Sequence, residues 1–391
     1  MKPSYKQTEV GVIPEDWEVK SLEQLCDPRH SICYGIVQVG AHSENGTAVL
    51  AIKNLNGDYT SNIHRCSAHI EQPYIRSRVC PGDILISVKG TIGRIGVVPS
   101  HFKGNISRDL ARFRLTSADL PKFWHQMLQS ETAQRRLQAT TVGTTRMELS
   151  INPLKKVSMP RPTIDDQRAI AEALSDADAL IESLERLIAK KRDIKQGAMQ
   201  ELLTGKKRLP EFTGKWIPTQ FNKLLRHHSG NSSLIKGKLS EFPVAGFYPA
   251  FSASGQDVWH HCFEYDGNAL IVSAVGSRCG KTFKAQGKWC AIANTHVVWP
   301  DLNMVDDQFL LLFLNDENFW IKSGSGQPFV LFMQSFRRTI SIPTLPEQTA
   351  IATVIFDMDA EIEALEGKLA KARAIKQGMM QELLTGRIRL I

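Results

Sequence analysis

PTIDDQRAIAEALSDADALIESLERLIAKKRDIKQGAMQELLTGKKRL runs from Pro162 to Leu209, and PTLPEQTAIATVIFDMDAEIEALEGKLAKARAIKQGMMQELLTGRIRL runs from Pro343 to Leu390. The two stretches align without a gap. Gln167 matches Gln348, Asp176 and Asp178 match Asp357 and Asp359, and IKQG-x-MQELLTG starts at Ile194 and again at Ile375. A duplication this clear organises the rest of the chain.

Both copies predict long helices. In the first, Ile170, Leu174, Ala177, Ile181, Leu184 and Ile188 alternate steps of four and three; in the second, Ile351, Ile355, Met358, Ile362, Leu365 and Leu369 do the same. That spacing is a coiled-coil seam. Thr163 and Thr344 suit the starts, with Asp166 and Glu347 placed after them as in a capping box, and Gly205 and Gly386 suit the ends. Each helix is expected to run roughly 40 residues, or about 60 Å at 1.5 Å per residue. Surface helices of globular domains are commonly about a third as long, so pairing of the copies is expected over packing on separate cores. Antiparallel pairing would put the globular segments at opposite ends of one rod, with approximate two-fold symmetry inside the chain.

The expected organisation is a first domain at 1–164, a helix at 165–205, a second domain at 206–346 and a helix at 347–391. The domains diverge more than the helices yet share traces of a plan. Trp17 and Leu22 open the first as Trp216 and Phe221 open the second; Gly82-Asp-Ile-Leu-Ile resembles Gly267-Asn-Ala-Leu-Ile; and a glycine-bracketed turn ending in a base follows each, GTIGR at 90–94 and GSRCGK at 276–281. Short β-branched runs such as Ile84 to Val88, Ile95 to Val98 and Ala269 to Val272 predict strands. The fold class is α/β (α+β): two mixed domains separated by two long helices paired as an antiparallel coiled coil. Strand order does not follow from the sequence.

The 391 residues are 42% hydrophobic and 23% charged, a balance that excludes a disordered or fibrous chain. MKPSYKQTEV has no signal-peptide core, and the densest apolar run, Phe309 to Leu314, is too short to cross a bilayer. A cytoplasmic protein with no membrane partner is expected. Cysteines at 26, 33, 66, 80, 262, 279 and 290 form no CxxC pair and read as reduced thiols. His260, His261 and Cys262 diverge on a helix or a strand and make a poor metal cage, so no metal is assigned. The net charge of +8 is unevenly placed: residues 1–164 carry +7 and 206–346 carry +5, while the helices at 165–205 and 347–391 carry −3 and −1. Basic domains on acidic helices suit phosphates at the domains and protein at the helices. A diffuse solvated surface is the bland alternative.

Catalytic motifs are absent from the sequence. GSRCGKT at 276–282 is one residue short of GxxxxGK[ST] and reads as a basic turn rather than a phosphate loop. There is no [DN]-P-P-[YF] methyltransferase motif, GxGxxG, HExxH or GxSxG. Asp176/Asp178 and Asp357/Asp359 point about 200° apart on a helix, which suits an interface rather than acid–base work.

The repeated PT-x-x-x-Q-x-AIA…IKQG-x-MQELLTG helices, each after a variable basic domain opening near a tryptophan, resemble the specificity (S) subunit, HsdS family, of type I restriction–modification systems. The resemblance covers essentially the whole chain. It implies two target recognition domains, each reading one half of a bipartite site on double-stranded DNA. The helices would act as a ruler between the halves and as docking sites for two methyltransferase (M) subunits, with translocase–endonuclease (R) subunits completing the restriction complex. The chain itself would be non-catalytic and without cofactor, because S-adenosylmethionine, ATP and Mg²⁺ belong to those partners. A rod of about 50–60 Å spans roughly 15 base pairs at about 3.4 Å each, consistent with a ruler.

The DNA-binding candidates in the first domain are Lys89, Thr91 and Arg94 around the GTIG turn, with Asn105, Ser107 and Arg108 in GNISRD. In the second they are Ser277, Arg278, Lys281, Asn294, Thr295 and His296. Small residues allow close backbone approach, and guanidinium groups grip phosphate or a guanine edge; each is equally well a turn residue or a surface ion-pair partner. Two rival classes are a free-standing DNA-bridging or regulatory protein, binding specific DNA without a methyltransferase, and an enzyme with an unrecognised site, for example a nuclease, acting on DNA with metal alone.

Overall fold

The computed structural model describes residues 4–57, 59–141, 148–316, 319–323 and 326–390. Two uninterrupted helices, Ile164–Leu202 and Leu345–Leu383, each run 39 residues, close to the expected length. The start of the first helix and both glycine ends are set as the sequence predicts, whereas Thr344 makes no side-chain capping bond among the described residues and Glu347 pairs with Arg208 instead. Asp166 N–H donates to the Thr163 hydroxyl at 3.2 Å, and Gly205 and Gly386 turn each chain away with φ of +69° and +71°, a conformation that glycine adopts without a Cβ penalty.

The chain divides into two compact units, Met1–Glu185 with Gly367–Ile391, and Arg186–Glu366. Each unit therefore holds one domain, the near half of one long helix and the far half of the other. In the first unit, Ile170, Ala171 and Leu174 of the first helix share a buried core with Leu383 and Leu384 of the second. Lys376 pairs with Asp178 at 2.6 Å and Arg373 with Glu185 at 2.5 Å. The second unit repeats this with the copies exchanged: Leu202 and Leu203 pack on Ile351, Ala352 and Ile355, Lys195 pairs with Asp359 and Arg192 with Glu366, both at 2.5 Å. In each set, rising numbers on one helix meet falling numbers on the other, so the halves pair antiparallel. Seam positions Ile170, Leu174, Ile188, Ile351, Ile355, Ile362 and Leu365 are buried, and Ala177, Ile181, Leu184, Met358 and Leu369 are half-buried. Asp178 and Asp359 are interface residues.

Each domain is fastened to its helices by the same set of polar contacts. The Trp17 indole donates to Asp166 Oδ2 at 2.9 Å, and Arg389 donates to the same oxygen at 2.7 Å. In the second unit Trp216 and Arg208 converge on Glu347 in the same way, Arg208 Nη2 at 2.6 Å. Gln167 and Gln348 are fully buried. Gln167 accepts from Leu120 N–H at 3.0 Å and donates to Asp119; Gln348 accepts from Asp306 N–H at 2.8 Å and donates to the Met304 carbonyl. A buried amide left without such partners costs about 1–3 kcal/mol, so the glutamine of PT-x-x-x-Q is a clamp rather than a surface residue.

The strand order, illegible in the sequence, is the same in both units. In the first, a four-stranded antiparallel sheet runs Cys33–Tyr34, Leu110–Phe113, Ile84–Ser87, Ile95–Val97. In the second it runs Leu225–Ser229, Thr295–Pro300, Ala269–Ser273, Thr282–Ala285. A further sheet in each places one strand parallel to its neighbour: Thr47–Leu50 beside Asn105–Ile106, and Tyr248–Ser252 beside Lys288–Ala291. A two-strand pair closes each domain, Glu18–Ser21 with Ser158–Arg161 and Ile217–Gln220 with Thr339–Ile342. The first unit adds a hairpin, Tyr5–Thr8 with Gly11–Pro14.

The GDILI and GNALI stretches prove to be one residue out of structural register. Ser87 N–H donates to the Arg94 carbonyl as Ser273 N–H does to that of Lys281, which makes Ser87 equivalent to Ser273 and Ile84 to Leu270 rather than to Ala269. Burial agrees: Ile84 and Ile86 face the helix-side core as Leu270 and Val272 do, while Leu85 and Ile271 face the other side. A one-residue slip would invert every side chain, so the backbone ladder overrides the likeness of the letters.

Candidate nucleic-acid interface

The two glycine turns sit in matching hydrogen-bond frames. Gly93 N–H donates to the Ser87 carbonyl at 2.9 Å, and Gly280 N–H to that of Ser273 at 2.8 Å. Val88 N–H reaches the Asp109 carbonyl at 2.8 Å and Ala274 N–H that of Asn294 at 2.9 Å; Leu149 N–H donates to Val88 as Val330 N–H does to Ala274. Each frame ties the glycine turn to the turn before the next long strand. Lys89, Thr91 and Arg94 are thereby brought beside Ser107 and Arg108, and Ser277, Arg278 and Lys281 beside Asn294 and His296.

Within each group the side chains differ in availability. Thr91, Arg94, Arg108, Ser277, Arg278, Lys281 and Asn294 are exposed. Lys89 is half-buried and pairs with Glu148 at 3.0 Å. Ser107, against expectation, is buried. Asn105 and Thr295 are interior residues, against expectation. The Asn105 amide donates to Glu71 and to the Tyr74 carbonyl and accepts from the Ser77 hydroxyl at 2.7 Å; the Thr295 hydroxyl donates to the Ile292 carbonyl at 2.7 Å. With these bonds made, neither side chain is available to a ligand, and both are corrected to structural roles. His296 is half-buried against Phe332, ring centroids 4.1 Å apart. Burial, with His227 as a lesser contributor, pushes its pKa down to about 4, so near neutrality it is a neutral hydrogen-bonding ring and not a cation.

Two pairs of residues that sequence reasoning missed hold these turns. A Cβ on Gly35 would lie 1.8 Å from the Ile106 carbonyl oxygen, and one on Gly230 2.2 Å from that of Ile292, so the backbones cross where no side chain fits. Gln134 donates to the Gly93 carbonyl at 2.8 Å and clamps the first turn to the helix Glu131–Ala139. In the second unit Asn315 accepts from Thr282 N–H at 2.9 Å just beyond the turn. The only available signal was the glycine or amide itself, which no local spacing distinguishes.

The phosphate-loop alternative fails on topology as well as length, because GSRCGK leads into the strand Thr282–Ala285 and not into a helix N-terminus. Among the described residues no group of three His, Cys, Asp or Glu side chains is placed to hold a metal ion, and no helix is long and apolar enough to cross a membrane.

Two domains of one topology, each presenting a basic glycine turn and each clamped to a duplicated helix, define a protein with two related binding modules on a shared spine. The chain belongs to the family of the type I restriction modification DNA specificity domain, whose sequence profile matches residues 14–190 and 230–373. It is 29% identical over 212 residues to the type I restriction enzyme EcoBI specificity subunit of Escherichia coli, a match covering 52% of this chain and 44% of that one. It is 23% identical to a protein provisionally named type I restriction enzyme MjaX specificity subunit, of Methanocaldococcus jannaschii, over 99% of this chain and 97% of that one. Its fold resembles the crystal structure of the type I restriction-modification system S subunit from M. genitalium, with a TM-score of 0.57 at 16% identity, covering 98% and 99% of the two chains.

Proposed function

We propose that this chain is the sequence-recognition subunit of a type I restriction–modification complex. It reads a bipartite site on double-stranded DNA, one half with the domain at 1–164 and the other with the domain at 206–346. The helices at 165–205 and 347–391 set the spacer and dock two methyltransferase subunits; translocase–endonuclease subunits join for restriction. The chain works in the cytoplasm and catalyses nothing itself. The observation that carries this reading is the recurrence, on two copies of one helix, of one domain topology with different basic turns: duplication supplies two readers and divergence supplies two half-sites. Thr91, Arg94 and Arg108 in the first domain, with Ser277, Arg278, Lys281, Asn294 and His296 in the second, are the DNA-facing groups; Ser107 is buried, and Lys89 joins them if its bond to Glu148 opens.

The test is to insert one helical turn ahead of Ile194 and map methylated bases in cells by single-molecule sequencing. The expected result is a changed spacer with both half-sites intact. Altered half-sites with an unchanged spacer would refute the division of labour. Arg94→Ala and Arg108→Ala are expected to weaken binding of the first half-site; unchanged affinity across several salt concentrations removes them.

A further inference from the structure

The two glycine turns differ by one residue inside frames that do not differ. Between the matched anchors Ser87 and Arg94 lie residues 88–93; between Ser273 and Lys281 lie residues 274–280, one more. Ile92 and Cys279 both turn inward onto the helix-side core, and Thr91 and Ser277 both face out. Two exposed residues, Ser277 and Arg278, thus stand where the first unit has Thr91 alone, and the first unit's turn carries no arginine between its glycines.

Arg278 is exposed, yet its guanidinium is moored. Nη1 donates at 2.8 Å to the carbonyl of Ser254, in the two-residue loop that joins the strands Tyr248–Ser252 and Gly255–His260. The turn is held on its other side by Gly276 N–H, which donates to the Pro328 carbonyl at 2.8 Å. No carboxylate pairs with Arg278 among the described residues. A long side chain is thus fixed by a neutral backbone acceptor, and among the described residues no carboxylate neutralises it and no other acceptor takes its remaining donors.

Building on the function proposed above, we propose that Arg278 is a specificity-determining residue that reads a guanine in the half-site of the second unit. A guanidinium is the side chain whose fork matches the O6 and N7 acceptors of guanine, and that pairing depends on the orientation of its plane. Mooring to Ser254 supplies orientation in advance and lowers the ordering cost of binding. A phosphate can also take a guanidinium fork but carries no base identity, so the motif read and not the affinity decides between the two. Because the first unit's turn has no arginine between its glycines, this contact imposes no requirement on the first half-site.

The experiment uses the full chain expressed with the methyltransferase subunits of its own system, as wild type, Arg278→Ala and Arg278→Lys, with methylated bases mapped genome-wide and thermal midpoints measured on the purified complexes. The expected result is that both variants relax one guanine position in one half-site by roughly 10-fold or more, with the other half-site and the spacer unchanged. Lysine is expected to fail like alanine because it has no fork. A second half-site without guanine overturns the assignment, as does an unchanged motif in both variants. A uniform loss of methylation at every site makes Arg278 a phosphate contact and also overturns it. If alanine lowers the thermal midpoint and neither variant shifts the motif, Arg278 is only a staple between sheets. A wild-type chain that directs no two-part motif fails at the earlier step, overturning the proposed function and this assignment with it.

Discussion

In the first unit the strand Leu110–Phe113 carries Arg112, 2% exposed, where the second unit has Val297 at the equivalent register position. The next residue but one is Arg114, bidentate to Asp83 at 2.7 Å; its counterparts are Trp299 and Ala269. Around the first set lie further buried polar groups, Glu71 gripped by Arg78 at 2.6 Å and by Asn105. Around the second lie rings, with Tyr265 stacked on Trp289 at 4.5 Å and tilted to Trp299 at 5.5 Å. One backbone ladder thus encloses a charged interior in one domain and an aromatic interior in the other. The frame is fixed by main-chain hydrogen bonds that do not depend on side-chain identity, so what fills it is free to diverge provided every buried charge finds a partner.

Asp83→Ala should break that comparison most sharply. It strands the Arg114 guanidinium and the Cys80 N–H, which donates to Asp83 at 2.8 Å, and is expected to destabilise the first unit by about 3 kcal/mol. Adding Arg114→Trp, which copies the second unit, should recover much of the loss. Hydrogen exchange under increasing urea, resolved by unit, measures both; a loss below about 1 kcal/mol for the single variant would mean the ion pair is not what fills this interior.

Where the units are alike, their responses should be alike. Arg389→Ala and Arg208→Ala each leave a buried carboxylate, Asp166 or Glu347, with the tryptophan indole but without its cation. Each is expected to cost its own unit about 2 kcal/mol, equal to within about 0.5 kcal/mol. A difference above about 1 kcal/mol in denaturant midpoints would show that the two junctions only look equivalent.

A smaller contrast lies in pH. His296 stands where the first unit has Ala111, and burial holds its pKa near 4 against an ordinary 6.5. Between those values the unfolded chain binds a proton that the folded one does not. This contribution to stability is therefore full above about pH 6.5 and falls as pH falls toward 4. From pH 7 to pH 5 the second unit is expected to lose at most about 2 kcal/mol through this group. His296→Phe should flatten that slope, while the first unit keeps its own, since burial also lowers the pKa of His125. Thermal melts at the two pH values check it, and an unchanged slope in the variant would remove His296 as the source.

The helices were legible because their signal is local. Steps of four and three, a capping threonine and a terminal glycine all lie within one stretch of chain, and the structure returned helices of nearly the expected length. The sheets were legible only as strands, since their order depends on pairings such as Leu110–Phe113 with Ile84–Ser87 that no local pattern encodes. GDILI and GNALI aligned one residue off because similar letters carry no information about which carbonyl each N–H meets. Among the candidate site residues, Arg108 and Asn105 lie three apart in GNISRD and look equally polar. One is exposed and the other tied to Glu71, and only the partner strand decides which. The clamps at Arg208 and Arg389 were invisible for the same reason: each lies 139 or 223 residues from its acid.

Gln167 and Gln348, buried at the first turn of each long helix, couple each domain to its helix in rotation as well as in position. A residue added to such a helix advances the far end by about 1.5 Å and also spins it by about 100°. An insertion therefore changes which helix residues meet the core of a unit as well as the length of the helix. Lengthening by a near-whole number of turns keeps the same face on that core, whereas lengthening by two residues nearly reverses it. Viable variants of this spine are therefore expected in discrete steps of length rather than as a continuous series.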